Sequence, residues 1–343
     1  MKTVYFNFYN VLCLSWHDPL FSPVPGFAIK YDYFRTDEPN ECPVHIDVYS
    51  HPPSDLRRRR LQRAAERFLV SDEMIELQHR QGRMQFTTWI AGLQTNRVEL
   101  YYEFPVRHRL QWPWLAFPDH LMGIHGVQPL LEFKLAEHGF HILHAGGVSR
   151  DGRGVMLPGR GECYKTTAIM ELLKDGWSFL ADDLIALHGQ QLHAFPVSAA
   201  FFDYFYRYAP DEELTFGRML GAMRHVRRNG ELAFDVSAPV EIGSVNLLVR
   251  CADGGSSRIG SEGTATAAEI DRILAVDQLE RLNYVDIEEA MGRFMLQYDQ
   301  VYGTRLWDTF WEGHRTALAT ALLGKPFREI LSVRGSPSSL LLI

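Results

Sequence analysis

Cysteine is scarce in this chain, with four among 343 residues, at Cys13, Cys42, Cys163 and Cys251. None forms a C-x-x-C pair and no histidine tract stands at zinc spacing beside them, which excludes a zinc-finger framework. The expectation is four reduced thiols in a cytoplasmic protein. Long apolar runs are missing as well. No stretch approaches the roughly 20 apolar residues that a membrane-spanning helix needs. The segment from Met1 to Leu20 is apolar in patches, but Asn7, Asn10, His17 and Asp18 interrupt it, so it does not read as a signal peptide. An excess of positive charge is also absent. With 35 Lys and Arg against 42 Asp and Glu, the formal net charge is −7, which argues against a nucleic-acid partner. Internal repeats and low-complexity tracts are lacking. What remains is a soluble protein with neither a membrane nor a nucleic acid as its partner.

The composition that is present, 46% hydrophobic and 22% charged, supports one large domain or two of moderate size. Val4 to Leu14 and Phe27 to Phe34 are rich in aromatic and β-branched residues and read as strands. Between Ser54 and Val70, Leu56, Leu61, Ala64, Ala65, Phe68 and Leu69 recur at helical spacing. Arg57 to Arg60 would then form its first turn, either solvated or meeting an anion. Gly82–Trp89 and Arg97–Phe104 read as a hairpin joined through Gly92–Asn96. A Pro- and Trp-rich connection, Pro105–Pro118, leads to a helix between Asp119 and His138 that stops at Gly139, with Pro129 suited to its first position.

From Phe140 the order is strand, turn, strand, loop, helix, strand. Phe140–Val148 and Gly154–Leu157 flank a turn at Ser149–Arg153. The loop Pro158–Tyr164 opens a helix from Lys165 to Lys174 that ends at Gly176. Trp177–Leu180 is a short strand stopping at Asp182 and Asp183. Leu184–Leu187 and Leu192–Phe195 form a further hairpin about His188-Gly189. Later come a helical region at Asp211–Val226, a strand at Val240–Val249, helices from Ala265 to Leu323, and a last strand near Phe327–Val333. Gly254–Ser257 reads as a loop and Gly335–Ser339 as a frayed tail. The division is an amino-terminal α+β region over 1–118, an α/β domain over 119–335, and a tail over 336–343.

The candidate chemistry lies in the loop Gly159-Arg160-Gly161-Glu162-Cys163-Tyr164-Lys165-Thr166-Thr167. A phosphate-binding loop needs small residues, so that backbone N–H groups can curl around oxygens. It also needs a lysine to neutralise charge and a hydroxyl for Mg²⁺. All of this belongs at a helix N-terminus. Gly159, Lys165 and Thr166 stand correctly for G-x-x-x-x-G-K-[ST], whereas Tyr164 replaces the second glycine. Asp182 and Asp183, ending the next strand, are paired carboxylates able to hold Mg²⁺ and to accept a hydroxyl proton. His144 lies on the strand entering the first hairpin.

The run Leu143-His144-Ala145-Gly146-Gly147-Val148, then Asp151 through Gly159, then Lys165-Thr166, then Gly176-Trp177 to Asp182-Asp183, resembles the HPr kinase/phosphorylase family. Within it, the chain is most similar to the HPr-kinase-related branch, which includes kinases associated with peptide-modifying gene clusters. The resemblance is specific over about 139–196. It implies a P-loop core of the HPr kinase/PEP carboxykinase type with a mixed sheet, the cofactors ATP and Mg²⁺, and phosphorylation of a serine or other hydroxyl on a peptide, small protein or metabolite. By position, Lys165 would contact the β- and γ-phosphates and Thr166 would ligate Mg²⁺. Asp182 would be the general base, and Asp183 would assist the metal or pair with His144. A homo-oligomer is implied too, whereas phosphorylase activity is not expected.

Two departures stand out. Glu162 and Tyr164 occupy positions where the family has glycine, at a cost of about 1–2 kcal/mol each if the loop shape is kept. Glu162 also brings a negative charge towards the phosphates, with Arg160 the nearest cation to offset it. The alternative is a catalytically silent scaffold that binds a peptide or protein partner. A basic group, Arg224, His225, Arg227 and Arg228, is either a solvated helix end or a receiver for an acidic group. Acceptor choice would fall to the amino-terminal half and to loops around Phe201–Arg228.

Overall fold

The computed structural model describes residues 3–17, 31–54, 62–65, 68–71, 74–81, 84–104, 123–160, 163–208, 221–222, 225, 231–250, 266–287 and 293–332. They hold two mixed β-sheets and six α-helices, an α+β arrangement. Two compact units are formed, one from 1–138 with 287–310 and the other from 139–286 with 311–343. Among the described residues, no helix is long and apolar enough to cross a membrane.

The first unit contains a nine-stranded sheet. Its strands are β1 (Thr3–Phe8), β2 (Leu12–His17), β3 (Arg35–Thr36), β4 (Val44–Tyr49), β5 (Gln62–Ala65), β6 (Phe68–Ser71), β7 (Met74–Gln81), β8 (Met84–Ala91) and β9 (Arg97–Glu103). They lie in the order β3-β1-β2-β4-β9-β8-β7-β6-β5. The expected hairpin across Gly92–Asn96 is β8 with β9. Val4–Leu14 is not one strand. Tyr9 and Asn10 both take positive φ and turn the chain between β1 and β2, in the sense that tight hairpins favour. Asp32–Phe34 is a 3₁₀ turn, not a strand. The helix expected over 54–70 is replaced by strands at 62–65 and 68–71. Phe68 and Val70 pair with Leu77 and Ile75 of β7, and this long-range pairing overrides a helical spacing. The Arg57–Arg60 turn and the connection Pro105–Pro118 lie outside the described residues.

Cys13 and Cys42 form a disulfide, which corrects the expectation of four free thiols. Cys13 lies on β2, whose parallel neighbour β4 begins two residues after Cys42. The two Cα atoms are 5.6 Å apart, within the span a disulfide bridges. The unit also holds α1 (Gln128–Ala136), with Pro129 in its first turn as expected, and α5 (Arg293–Tyr302).

The second unit is built on an eight-stranded sheet. Its strands are β10 (Phe140–Arg150), β11 (Arg153–Pro158), β12 (Ser178–Ala181), β13 (Leu184–His188), β14 (Gln191–His193), β15 (Val240–Arg250), β16 (Thr266–Glu269) and β17 (Phe327–Ser332). Its helices are α2 (Lys165–Lys174) and α3 (Ala199–Tyr208). Most of α4 (Arg272–Ile287) and of α6 (Leu306–Ala321) also belongs to it. The elements expected from Phe140 to His193 are all present. β10 and β11 turn at Asp151-Gly152, both at positive φ. Thr266–Glu269, expected to be helical, is a strand on β17. The segment beginning at Phe201, expected to be loop, continues α3 to Tyr208. Of the helix expected at Asp211–Val226, only 221, 222 and 225 are described, and they are helical. Gly254–Ser257 and the tail lie outside the described residues.

Two of the unit's histidines are held neutral by burial. His141 on β10 meets His314 on α6 edge to face, with ring centroids 5.5 Å apart. Burial is the first cause in both: it pushes His141 down to about 4, with His188 second, and His314 down to about 3, with His141 second. Each takes a proton more readily in the unfolded chain, where the ordinary value is about 6.5. Their contribution to stability is therefore complete above about pH 6.5 and is lost as the pH falls towards the folded values. The urea midpoint is expected to drop between about pH 7.5 and about pH 5, less steeply in a His314→Leu variant. Equal slopes would refute this assignment.

Candidate functional site

Four pieces of the second unit bring the site together. β10 pairs through its first half with β13 and through its second half with β12. Asp182 and Asp183 are the two-residue link between β12 and β13, so they are held against the middle of β10. His144 pairs with Leu184, immediately after that link. The approach is so close that a Cβ on Gly146 would fall 2.9 Å from the Asp182 carbonyl and 2.6 Å from Ile169 of α2. A side chain at Gly146 would push the Asp182 main chain away from β10, whereas the end of Ile169 could swing aside.

β11 delivers Gly159 at its end, and the chain re-enters regular structure at Lys165. Gly159 is packed so tightly that a Cβ would lie 2.6 Å from Cys163 Sγ and 2.7 Å from the Leu248 carbonyl. Tyr164, the first residue before α2, has φ 65° and ψ 24°. This is the left-handed conformation that the glycine of a phosphate loop supplies, adopted here by a residue with a Cβ at a cost of about 1–2 kcal/mol. Tyr164 donates no side-chain cap, and the first turn of α2 carries no acidic residue. The Lys165 N–H is bonded to the Cys163 thiol, and the positive end of the helix dipole favours an anion at this turn.

The Lys165 side chain is only 7% exposed. Its ammonium donates to the Gly159 carbonyl at 2.5 Å and to His144 Nε2 at 2.9 Å. An ammonium has no acceptor, so the ring nitrogen accepts. Asp183 Oδ1 stands 3.7 Å from the ammonium and 3.4 Å from His144 Nε2. Lys165, His144 and Asp183 are therefore one cluster held through the Lys165 ammonium; with Nε2 accepting from Lys165, Asp183 Oδ1 faces the ammonium and takes no proton from the ring. With its side chain 56% exposed, Asp183 is the solvent-facing member.

Asp182 differs from its neighbour. Its Oδ1 is shut off from solvent and accepts no hydrogen bond. Burial lifts its carboxyl to about 6, Asp183 adds to the rise, and the Thr166 hydroxyl bond and Lys165 pull against it. Thr166 thus reaches Asp182, as a shared metal site requires. Among the described residues, no group of three or more His, Cys, Asp and Glu side chains is set to hold a metal ion. The donor set that fits Mg²⁺ is the Thr166 hydroxyl with the carboxylates of Asp182 and Asp183, all oxygen, as a hard cation prefers. An orphaned carboxylate oxygen at this point is the acceptor such a cation would satisfy.

Of the remaining loop residues, Arg160 is exposed, Thr167 is partly buried and Cys163 is buried, its thiol pushed up by that burial. Gly161 and Glu162 lie outside the described residues, so the Arg160–Glu162 offset does too. Of the basic group near 224–228, only His225 is described. It bonds the buried Asp203 at 2.7 Å beside Arg207 at 2.8 Å, a structural role. One site residue had no signal in the sequence. Asn283 of α4 accepts the backbone N–H of His144 at 2.7 Å and donates to the Leu279 carbonyl at 2.8 Å. It fixes the backbone of β10 at His144.

No family model matches the chain, and a search of curated proteins finds no match.

Proposed function

We propose that this chain is an ATP- and Mg-dependent phosphotransferase with a P-loop core of the HPr kinase type, acting on a serine or other hydroxyl of a peptide, small protein or metabolite. The observation that carries the proposal is the left-handed backbone at Tyr164 directly before a buried lysine at a helix start. A tyrosine held there at a conformational cost keeps the loop shape that phosphate binding demands.

In this reading Lys165 binds the β- and γ-phosphates, aided by the positive end of the α2 dipole. Thr166, Asp182 and Asp183 would hold the metal, which when bound would supply charge neutralisation to the transferring phosphoryl group. Asp182 takes the proton of the acceptor hydroxyl as that oxygen bonds to the γ-phosphorus, the bond from that phosphorus to the β,γ-bridging oxygen breaks, and ADP leaves with the electron pair. His144 orients Lys165 through its Nε2. A homo-oligomer belongs to the same proposal; the cytoplasmic location expected from reduced thiols loses that support with the Cys13–Cys42 disulfide.

Calorimetric titration with Mg-ATP tests it. Binding in the millimolar range or tighter is expected, and Lys165→Ala should abolish it. No binding at several millimolar would overturn the nucleotide site. One observation favours a second reading, a silent scaffold that binds a partner: the Lys165 ammonium already has protein acceptors in Gly159 and His144. A scaffold gives no heat with Mg-ATP, so the same titration separates the two.

A further inference from the structure

Beside the loop, within the second unit, lies a cavity of about 450 Å³. Its origin is the unequal length of three parallel strands. β11 last pairs with β15 at Met156 and Val245, and ends at Pro158. β15 runs on to Arg250, paired with β17 on its other side. The stretch Leu247–Val249 has therefore lost its neighbour on the β11 side, which leaves a notch. Gly159 and Cys163, from either end of the loop, form one wall, and Leu282 of α4 stands on another. A crevice beyond the carboxyl end of a parallel strand is where α/β sheets usually take ligands, and the volume is that of a small-molecule site.

The lining combines an apolar floor with charges of both signs. Leu247, Leu248, Val249 and Leu282 supply the aliphatic surface. Arg160, Arg281 and Glu329 supply the charge, two guanidinium groups against one carboxylate. Arg160 is exposed, and Arg281, whose Nε bonds Asp277 at 2.9 Å, has a side chain 77% exposed, so the cationic side of the cavity is its solvent side. Glu329, partly buried, is the β17 partner of Leu247 and stands beside the floor. The amide oxygen of Gln278 has no exposed surface and takes no part.

An aliphatic floor calls for an apolar ligand body. The two guanidinium groups call for an anion and Glu329 for a cation. One class of small molecule carries all three on a single carbon atom: an apolar α-amino acid, with its carboxylate, its ammonium and its hydrophobic side chain. We propose that the cavity is a binding site for a free apolar α-amino acid. Its carboxylate meets Arg160 and Arg281, its ammonium meets Glu329, and its side chain lies on the floor. The ligand carries no phosphate, so the inference stands apart from the phosphate-site reading above.

Four probes test it on the intact chain by ligand-observed NMR titration: L-phenylalanine, 3-phenylpropionate, phenethylamine and glycine. Phenylalanine is expected to bind. 3-Phenylpropionate, which lacks the ammonium, should bind roughly tenfold more weakly, the worth of a hydrogen bond to a charged group. Phenethylamine, which lacks the carboxylate, should bind about threefold more weakly, a smaller loss because water screens exposed guanidinium groups. Glycine, with both charges and no body, should show no binding over the same range. Glu329→Gln should bring phenylalanine down to the level of 3-phenylpropionate. The wild-type comparisons do not depend on the variant folding. Absence of phenylalanine binding at tens of millimolar, or binding no tighter than that of 3-phenylpropionate, would overturn the proposal. So would a Glu329→Gln protein that melts like the wild type and keeps the full preference for phenylalanine.

Discussion

Asp182→Asn is expected to remove turnover while leaving nucleotide binding largely intact. The substitution keeps the shape of the side chain and its reach to Thr166, but takes away the ability to accept a proton. A general base in the right place contributes roughly 10²- to 10⁴-fold to rate, and loss of a metal-holding carboxylate adds to the deficit. Lys165 and the first turn of α2, which carry phosphate affinity in the proposed scheme, are untouched. The measurement is ADP formation, together with a mass gain of one phosphate on candidate hydroxyl acceptors, alongside a Mg-ATP titration of the same preparation. Turnover equal to the wild type would sink the role given to Asp182.

Phe179→Ala should cost about 3–5 kcal/mol of stability, as loss of a fully buried aromatic ring usually does. Phe179 has no solvent exposure and packs its ring 4.9 Å from those of both Phe202 and Phe234. Its backbone is bonded on both sides, its N–H to the Asp235 carbonyl at 2.7 Å and its carbonyl to the Ser237 N–H at 2.8 Å. The main chain therefore stays anchored when the ring is removed and cannot readily collapse into the space. β12 has four residues, and Asp182 follows directly upon it, so the ring also seats the carboxylate. Urea unfolding should show a lower midpoint at unchanged slope, with Phe179→Leu recovering much of the difference. A loss under about 1 kcal/mol would mean that the cluster repacks freely.

The stretch from Phe140 to His193 is readable from its residues because its signals are local. Asp151-Gly152 makes the β10–β11 turn, Gly176 ends α2, and the short apolar run before Asp182 is a strand whatever surrounds it. Within the candidate site, Gly159, Lys165, Asp182 and Asp183 are spaced as a phosphate loop requires, and the fold brings Lys165 and both carboxylates together with His144. Elements decided by distant partners are another matter. Phe68-Leu69-Val70 suits either a helix or a strand, and pairing with β7 decides it. Cys13 and Cys42 are 29 residues apart and meet only because β2 and β4 run parallel. Asn283 reaches the second unit's site from a helix that begins at Arg272, and its sequence context does not mark it. Tyr164 reads as a defect in the loop motif, but its backbone shows the glycine conformation kept without the glycine.

The division of the chain at residues 138, 286 and 310 governs how it can be synthesised and cut. Neither unit is a contiguous stretch, and the first needs residues 287–310 to be whole. On the ribosome, where domains usually fold as they emerge, the first unit is completed only by a helix made after β15 and α4 of the other unit. An expression fragment ending near residue 138 would lack α5, and one beginning there would carry α5 without its sheet. Dissecting this protein by truncation at a single point would leave both pieces incomplete.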